Sequence, residues 1–244
     1  MVRALISSRR RAIGRIAQLA ALITPACRSR AGWLRCPALA AALLSVVLLD
    51  GCGSAGPPVR DRFYTLDPAV DLAPSPRTMP GTLLITPFAS RGFLGGTQIV
   101  FRTADAPLQV QRYDSLLWEQ PPGRALAEAL IPAVRGAGLF EYVVSIADRA
   151  DPDLVVNGEL TRFEHRPTAQ PPSVSAAFNL TVITNSDRQT RFLKTYEGVE
   201  PTRESTPEAM VHAFNRLTER LLTEAARDMQ RVAPGIAQQS PQRD

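Results

Sequence analysis

From Ala38 to Leu49 the chain carries twelve residues that are apolar except for Ser45, followed by Asp50, Gly51 and Cys52. Arginines at 28, 30 and 35 stand just before this run. A basic segment, an apolar segment of that length and a small residue at the cut make a secretory signal, and the run is short for spanning a bilayer. The chain therefore divides at Cys52. Whatever follows must fold outside the compartment of synthesis, around a core of its own.

The segment Leu49-Asp-Gly-Cys52 resembles the bacterial lipobox, whose cysteine thiol receives a diacylglycerol before cleavage. Cys52 is accordingly the expected lipid-attachment residue, with residues 1–51 as a lipoprotein signal peptide. The leader from Met1 to Ala31 also has the arginine-rich, acid-free composition of a transit peptide, but that reading leaves the apolar run and Cys52 unexplained.

Charge changes meaning once the chain is divided. The whole chain is +5, yet eight of its 28 basic residues and one of its 23 acids precede Cys52. That leaves 20 against 22, a mature protein near −2. Its arginines are scattered, so a nucleic-acid partner is not expected. Cys27 and Cys36 fall in the leader and Cys52 is acylated, which leaves no thiol for a disulfide or a zinc site.

Residues 52–80 hold six prolines and read as a lipidated tether, interrupted by the strand-prone Phe63-Tyr-Thr-Leu66, a candidate edge strand. Residues 81–233 form the expected body and 234–244 a disordered tail. Thr82 to Phe88 reads as a buried strand stopped by Pro87. Gln98–Arg102 and Leu108–Tyr113 read as a hairpin with one wet face. A helix opens at Pro121-Pro122 and closes at Gly136-Ala-Gly138, with a kink or break expected at Pro132.

Phe140–Ile146 and Leu154–Phe163 are further strands. The cleanest periodicity follows, where Val174, Ala176, Phe178, Leu180 and Val182 alternate with Ser175, Ala177, Asn179 and Thr181. Thr190–Val199 returns alongside it. Thr206-Pro207-Glu208 caps a last helix whose apolar stripe is Met210, Phe214, Leu217, Leu221 and Ala225, with an end expected at Pro234-Gly235. The order of elements gives one α/β domain, a mixed and mostly antiparallel sheet with two principal helices packed on it.

Chemistry-bearing patterns are few. There is no G-x-S-x-G elbow, and the two histidines, His165 and His212, lack the spacing of a metal pair. Asp148, Asp151 and Asp153 lack the glycine and terminal glutamate of a calcium loop. No cofactor, metal or catalytic residue is expected. Phe63, Tyr64, Tyr113 and Trp118 are the candidate partner-interface residues, since aromatics anchor interfaces; for Tyr113 and Trp118 the alternative is that they seal the sheet against a helix.

The Phe63-Tyr-Thr-Leu66 segment, the strand ending at Pro87-Phe88, Ile99-Val-Phe-Arg102, Tyr113, Trp118, Pro121-Pro122 and the helix ending near Gly138-Leu-Phe140 follow one another in an order that resembles the ABC-type transport auxiliary lipoproteins. The resemblance runs over about Phe63 to Arg231. It implies a non-catalytic subunit working with an ATPase, a permease and a membrane-anchored MCE-domain protein, moving phospholipid or another hydrophobic compound between two membranes. Gly53 is not the aspartate that retains lipoproteins in the inner membrane in enterobacterial sorting, so the periplasmic face of the outer membrane is the implied address. Assembly with further copies of the same chain is a further expectation. The competing reading is a periplasmic lipid- or lipopolysaccharide-binding carrier.

Overall fold

A computed structural model describes residues 60–239, with side chains described through Ile236. The leader, Cys52, the tether up to Val59 and the tail from Ser240 lie outside the described residues. The longest strands organise the rest. β1 is Arg62–Tyr64, β2 Met79–Ile85, β3 Ala89–Ser90, β4 Gln98–Phe101, β5 Gln111–Trp118, β6 Phe140–Val144, β7 Leu154–Arg166, β8 Ser173–Thr184 and β9 Thr190–Pro201. The α-helices among the described residues are α1, Pro122–Gly136, and α2, Pro207–Gln239.

β7 is the axis of the sheet. One side pairs antiparallel with β8 along its whole length, from Leu154↔Thr184 to Arg166↔Ser173, and β8 pairs antiparallel with β9. The other side meets three parallel strands in succession: β2 at Leu154, β3 at Glu159 and β4 at His165. β6 lies parallel outside β2, β5 antiparallel outside β4, and β1 parallel outside β5. The result is one mixed α/β domain whose curled sheet carries both helices.

The alternation read in β8 sets the inner face. Val174, Ala176, Phe178, Leu180 and Val182 are all buried, and Phe178 packs on Phe88 and Tyr196 with ring centroids 5.3 Å from each. α2 covers this face with Met210, Phe214, Leu217, Leu221 and Ala225, every one buried. It starts where the cap was read: the Ala209 N–H donates to Thr206 Oγ1 at 3.2 Å. α1 is terminated just past its end by Gly138, whose φ of +62° turns the chain while the Leu139 N–H reaches Val134 O at 3.4 Å.

Four expectations need correction. The first is the break allowed for at Pro132, since α1 runs through that residue as one helix. Pro132 faces solvent, so the Glu128 carbonyl that it leaves without an i+4 donor is not stranded in the core. The second is Pro234-Gly235, which does not end α2. The helix continues to Gln239, because Ala233 and Ile236 on either side of the proline stay buried against the body. The burial of these side chains outweighs the lost hydrogen bond.

The third correction moves the strand after β4. Leu108 is 94% exposed and lies in the hairpin tip, while β5 begins at Gln111 and runs to Trp118, past the end expected at Tyr113. The fourth concerns the expected tether. From Arg62 to Pro80 it lies on the body, with Leu66, Leu72 and Met79 in the core. Polar contacts to α2 fix it: the Asp67 N–H donates to Asn215 Oδ1 at 2.8 Å, and Gln230 Nε2 donates to Ala73 O at 3.1 Å. The folded body thus starts near Arg62 rather than Gly81.

Candidate functional site

The start of α2 gathers two of the predicted interface residues, Tyr64 and Tyr113. β1 runs beside β5 with Tyr64 opposite Trp118, so Tyr64 faces the helix and Phe63 the other side of the sheet. The Tyr64 hydroxyl donates to Glu208 Oε1 at 3.2 Å, and Arg62 pairs with the same carboxylate. That carboxyl is held below its usual range, first by a backbone N–H at the helix start and then by Tyr64 and Arg62. Phe63 makes no such contact and is 65% exposed.

Tyr113, two turns of pleat nearer the start of β5, sits in a cleft of about 210 Å³. Leu116, His165, Pro167, Pro172, Pro207 and Met210 line it, and Ser205 and Thr206 close its rim. The ring of Tyr113 stacks on Phe101 with centroids 4.4 Å apart, and its hydroxyl lies 2.7 Å from His165 Nδ1. Burial pushes the Tyr113 hydroxyl up and the His165 imidazole down to about 4, so both are neutral near pH 7. The hydroxyl then donates to Nδ1, and the imidazole proton sits on Nε2.

This pair joins residues 52 positions apart, brought together by the parallel contact of β4 with β7 at Phe101 and His165. Sequence reading placed Tyr113 among the interface candidates and excluded His165 only from a metal pair with His212. The only signal for their pairing was that each sits near a strand end.

Trp118 does not belong to the surface. It is 1% exposed and packs edge-on to Phe214 at 5.3 Å, with Phe163 at 5.7 Å. Its position at the end of β5 points it inward, under α2. It seals the sheet against the helix and offers nothing to a partner. His212 is exposed on the opposite flank of α2, in an open cleft of about 560 Å³ lined by Arg203, Glu204, Glu208, Arg216 and Glu219.

His165 spends its Nδ1 on Tyr113, and among the described residues no group of three or more His, Cys, Asp or Glu could hold a metal ion. Asp148 instead accepts from the Ser145 N–H at 2.7 Å, and Asp153 Oδ2 accepts from the Thr82 N–H at 2.8 Å. Both acids are used to fix turns.

The His165 environment has a measurable consequence. Its folded pKa of about 4 lies below the unfolded value of 6.5, so the unfolded chain takes up a proton first as pH falls. The stability held above pH 6.5 is lost progressively between 6.5 and about 4. The ceiling is about 3 kcal/mol, at about 1.4 kcal/mol per unit, and partial solvent access lowers it. His165→Gln should flatten that part of a pH series of urea melts; an unchanged slope would mean that His165 is not held neutral by burial.

The family model described as the ABC-type transport auxiliary lipoprotein component matches residues 64–226, from Tyr64 at the α2 contact to Ala226 inside α2. No curated protein matches the sequence. Among solved structures, protein XCC0632 from Xanthomonas campestris, of the family DUF330, is similar with a TM-score of 0.62 at 19% identity, over 72% of this chain and 99% of that one. An uncharacterized protein is similar with a TM-score of 0.54 at 16% identity, over 70% of this chain and 99% of that one. Both likenesses bear on the fold. With one family model spanning the sheet, the first helix, the Tyr113 cleft and most of the second helix, the chain belongs to the ABC-type transport auxiliary lipoprotein component family.

Proposed function

We propose that this protein is a lipid-anchored, non-catalytic auxiliary subunit of an ABC transport system built around a membrane-anchored MCE-domain protein. It moves phospholipid or another hydrophobic compound between the inner and outer membranes. Its address is the periplasmic face of the outer membrane, through acylated Cys52. The observation that carries this reading is the family match over nearly the whole described body. The filled interior supports it, because Phe163, Phe178, Phe214 and Trp118 occupy the space between sheet and helix.

The partner surface is the β1 end of the sheet together with the α2 start. β1 is the last strand of its path, Phe63 stands out from it, and Tyr64 and Tyr113 flank the first turn of α2. An edge strand can take another chain by backbone pairing, whether from the MCE-domain protein or from a second copy. Photo-crosslinkers at Phe63, Tyr64 or Tyr113 should capture one of these, while one at Glu219, exposed farther along α2, should not. Tight one-to-one co-purification of a lipid with no protein captured at the three sites would favour the carrier reading and overturn this one.

A further inference from the structure

We infer that the β4–β5 hairpin tip, residues 102–110, is a second membrane contact that seats Leu108 and Val110 in the surface of the bilayer carrying the lipid anchor. This rests on acylation at Cys52. The direction of chain entry makes the case. β1 pairs parallel with β5, Arg62 opposite Leu116 and Tyr64 opposite Trp118. The N-terminal end of β1 therefore points along β5 toward Gln111 and the tip. Nine residues separate Cys52 from Arg62, a reach of at most about 30 Å. Arg62 is level with Leu116, five residues or about 17 Å along β5 from Gln111, so the tip lies within the reach of the anchored lipid.

The tip is built to present its apolar side chains. Leu108 is 94% exposed, the most exposed large apolar side chain of the described body, and Val110 is 36% exposed. The backbone around them is tied down. The Arg102 N–H donates to His165 O at 2.9 Å, the Ala104 N–H to Thr168 Oγ1 at 2.7 Å, and the Arg102 guanidinium to Pro107 O and to Glu164 Oε2, the latter at 3.1 Å. A leucine held out on a pinned turn costs free energy in water and recovers it in the interfacial layer of a bilayer. Membrane attachment by a lipid is also strengthened by a second, independent contact.

The same registers supply a control position. Phe101 pairs with His165 near the end of β7, whereas Tyr142 pairs with Thr82, next to the Leu83↔Leu154 contact at its beginning. The 13 residues of β7 separate these levels by about 40 Å. Tyr142 is 58% exposed, so a label there reports the far end.

The test uses the full lipidated chain, purified from envelopes and reconstituted into vesicles of phosphatidylethanolamine and phosphatidylglycerol with brominated acyl chains. Cys27 and Cys36 leave with the leader and Cys52 is acylated, so Leu108→Cys and Tyr142→Cys each take a single environment-sensitive dye. Dye at 108 should be blue-shifted and quenched several-fold more than dye at 142. Equal signals at both positions, in protein whose Cys52 is shown by mass to be acylated, would overturn the tip contact and leave the anchor standing. Unacylated Cys52 would overturn both. Shielding of 108 only when other envelope proteins are added would make the tip a protein contact and overturn the membrane assignment.

Discussion

Phe178→Ala should cost about 3–5 kcal/mol in a denaturant melt, a large share of the roughly 5–15 kcal/mol that holds a domain of this kind. The ring lies at the centre of β8, fully buried, between Phe88 on one side and Tyr196 on the other. Its neighbours cannot close the gap easily. Phe88 lies over Gly158, where even a Cβ would stand 2.2 Å from the ring, so its place is set by the strand beneath. Tyr196 is tied to α2, its hydroxyl donating to Asp228 Oδ2 at 3.0 Å while Lys194 Nζ donates to the same oxygen at 2.6 Å. Pinned walls leave a cavity, and cavities carry the upper part of the range. Asn179→Ala, one residue along on the outer face, loses a half-exposed hydrogen bond from Thr195 Oγ1 and should cost no more than about 1 kcal/mol. Equal shifts for the two variants would mean that the faces of β8 are assigned wrongly.

The same strand shows why part of the fold was legible. Alternation in β8 and the Thr206-Pro207-Glu208 start of α2 are local signals, and local signals survive folding when burial agrees with them. β5 was misplaced because Asp114 and Ser115 interrupt its apolar run, while Leu108 and Val110, which look like the inward side of a strand, project from a turn. The segment from Arg62 to Pro80 was read as tether for a similar reason. Its prolines are real, but Leu66, Leu72 and Met79 find their partners on distant elements, and no spacing within the segment announces that. Pro234 was overruled by the burial of Ala233 and Ile236.

At the site, the aromatic candidates divide between surface and core. Tyr64 and Tyr113 meet the first turn of α2, whereas Trp118 turns under the helix. Composition cannot distinguish these, since an aromatic at the end of a strand faces in or out according to a register fixed by its neighbours. The pairing of Tyr113 with His165 depends on β4 and β7 meeting in parallel, a long-range feature that spacing does not encode.

Cys52→Ala should release the protein from the membrane fraction. No helix among the described residues is long and apolar enough to cross a membrane, so the body offers no helical substitute for the anchor. The hairpin tip contributes two side chains, too little to hold a protein at a membrane by itself. The body should remain folded in the soluble fraction, because the substitution lies ten residues before Arg62, where the sheet begins. The thiol of Cys52 is also the group on which the proposed function and the tip contact both depend. The mass of the mature N-terminal peptide of the unaltered protein, taken from the envelope fraction, reads it directly. The expected result is a chain beginning at Cys52 with its sulfur carrying diacylglycerol; an unmodified residue at any other mature start would contradict the anchored reading and, with it, the assignment of this chain to work at a membrane surface.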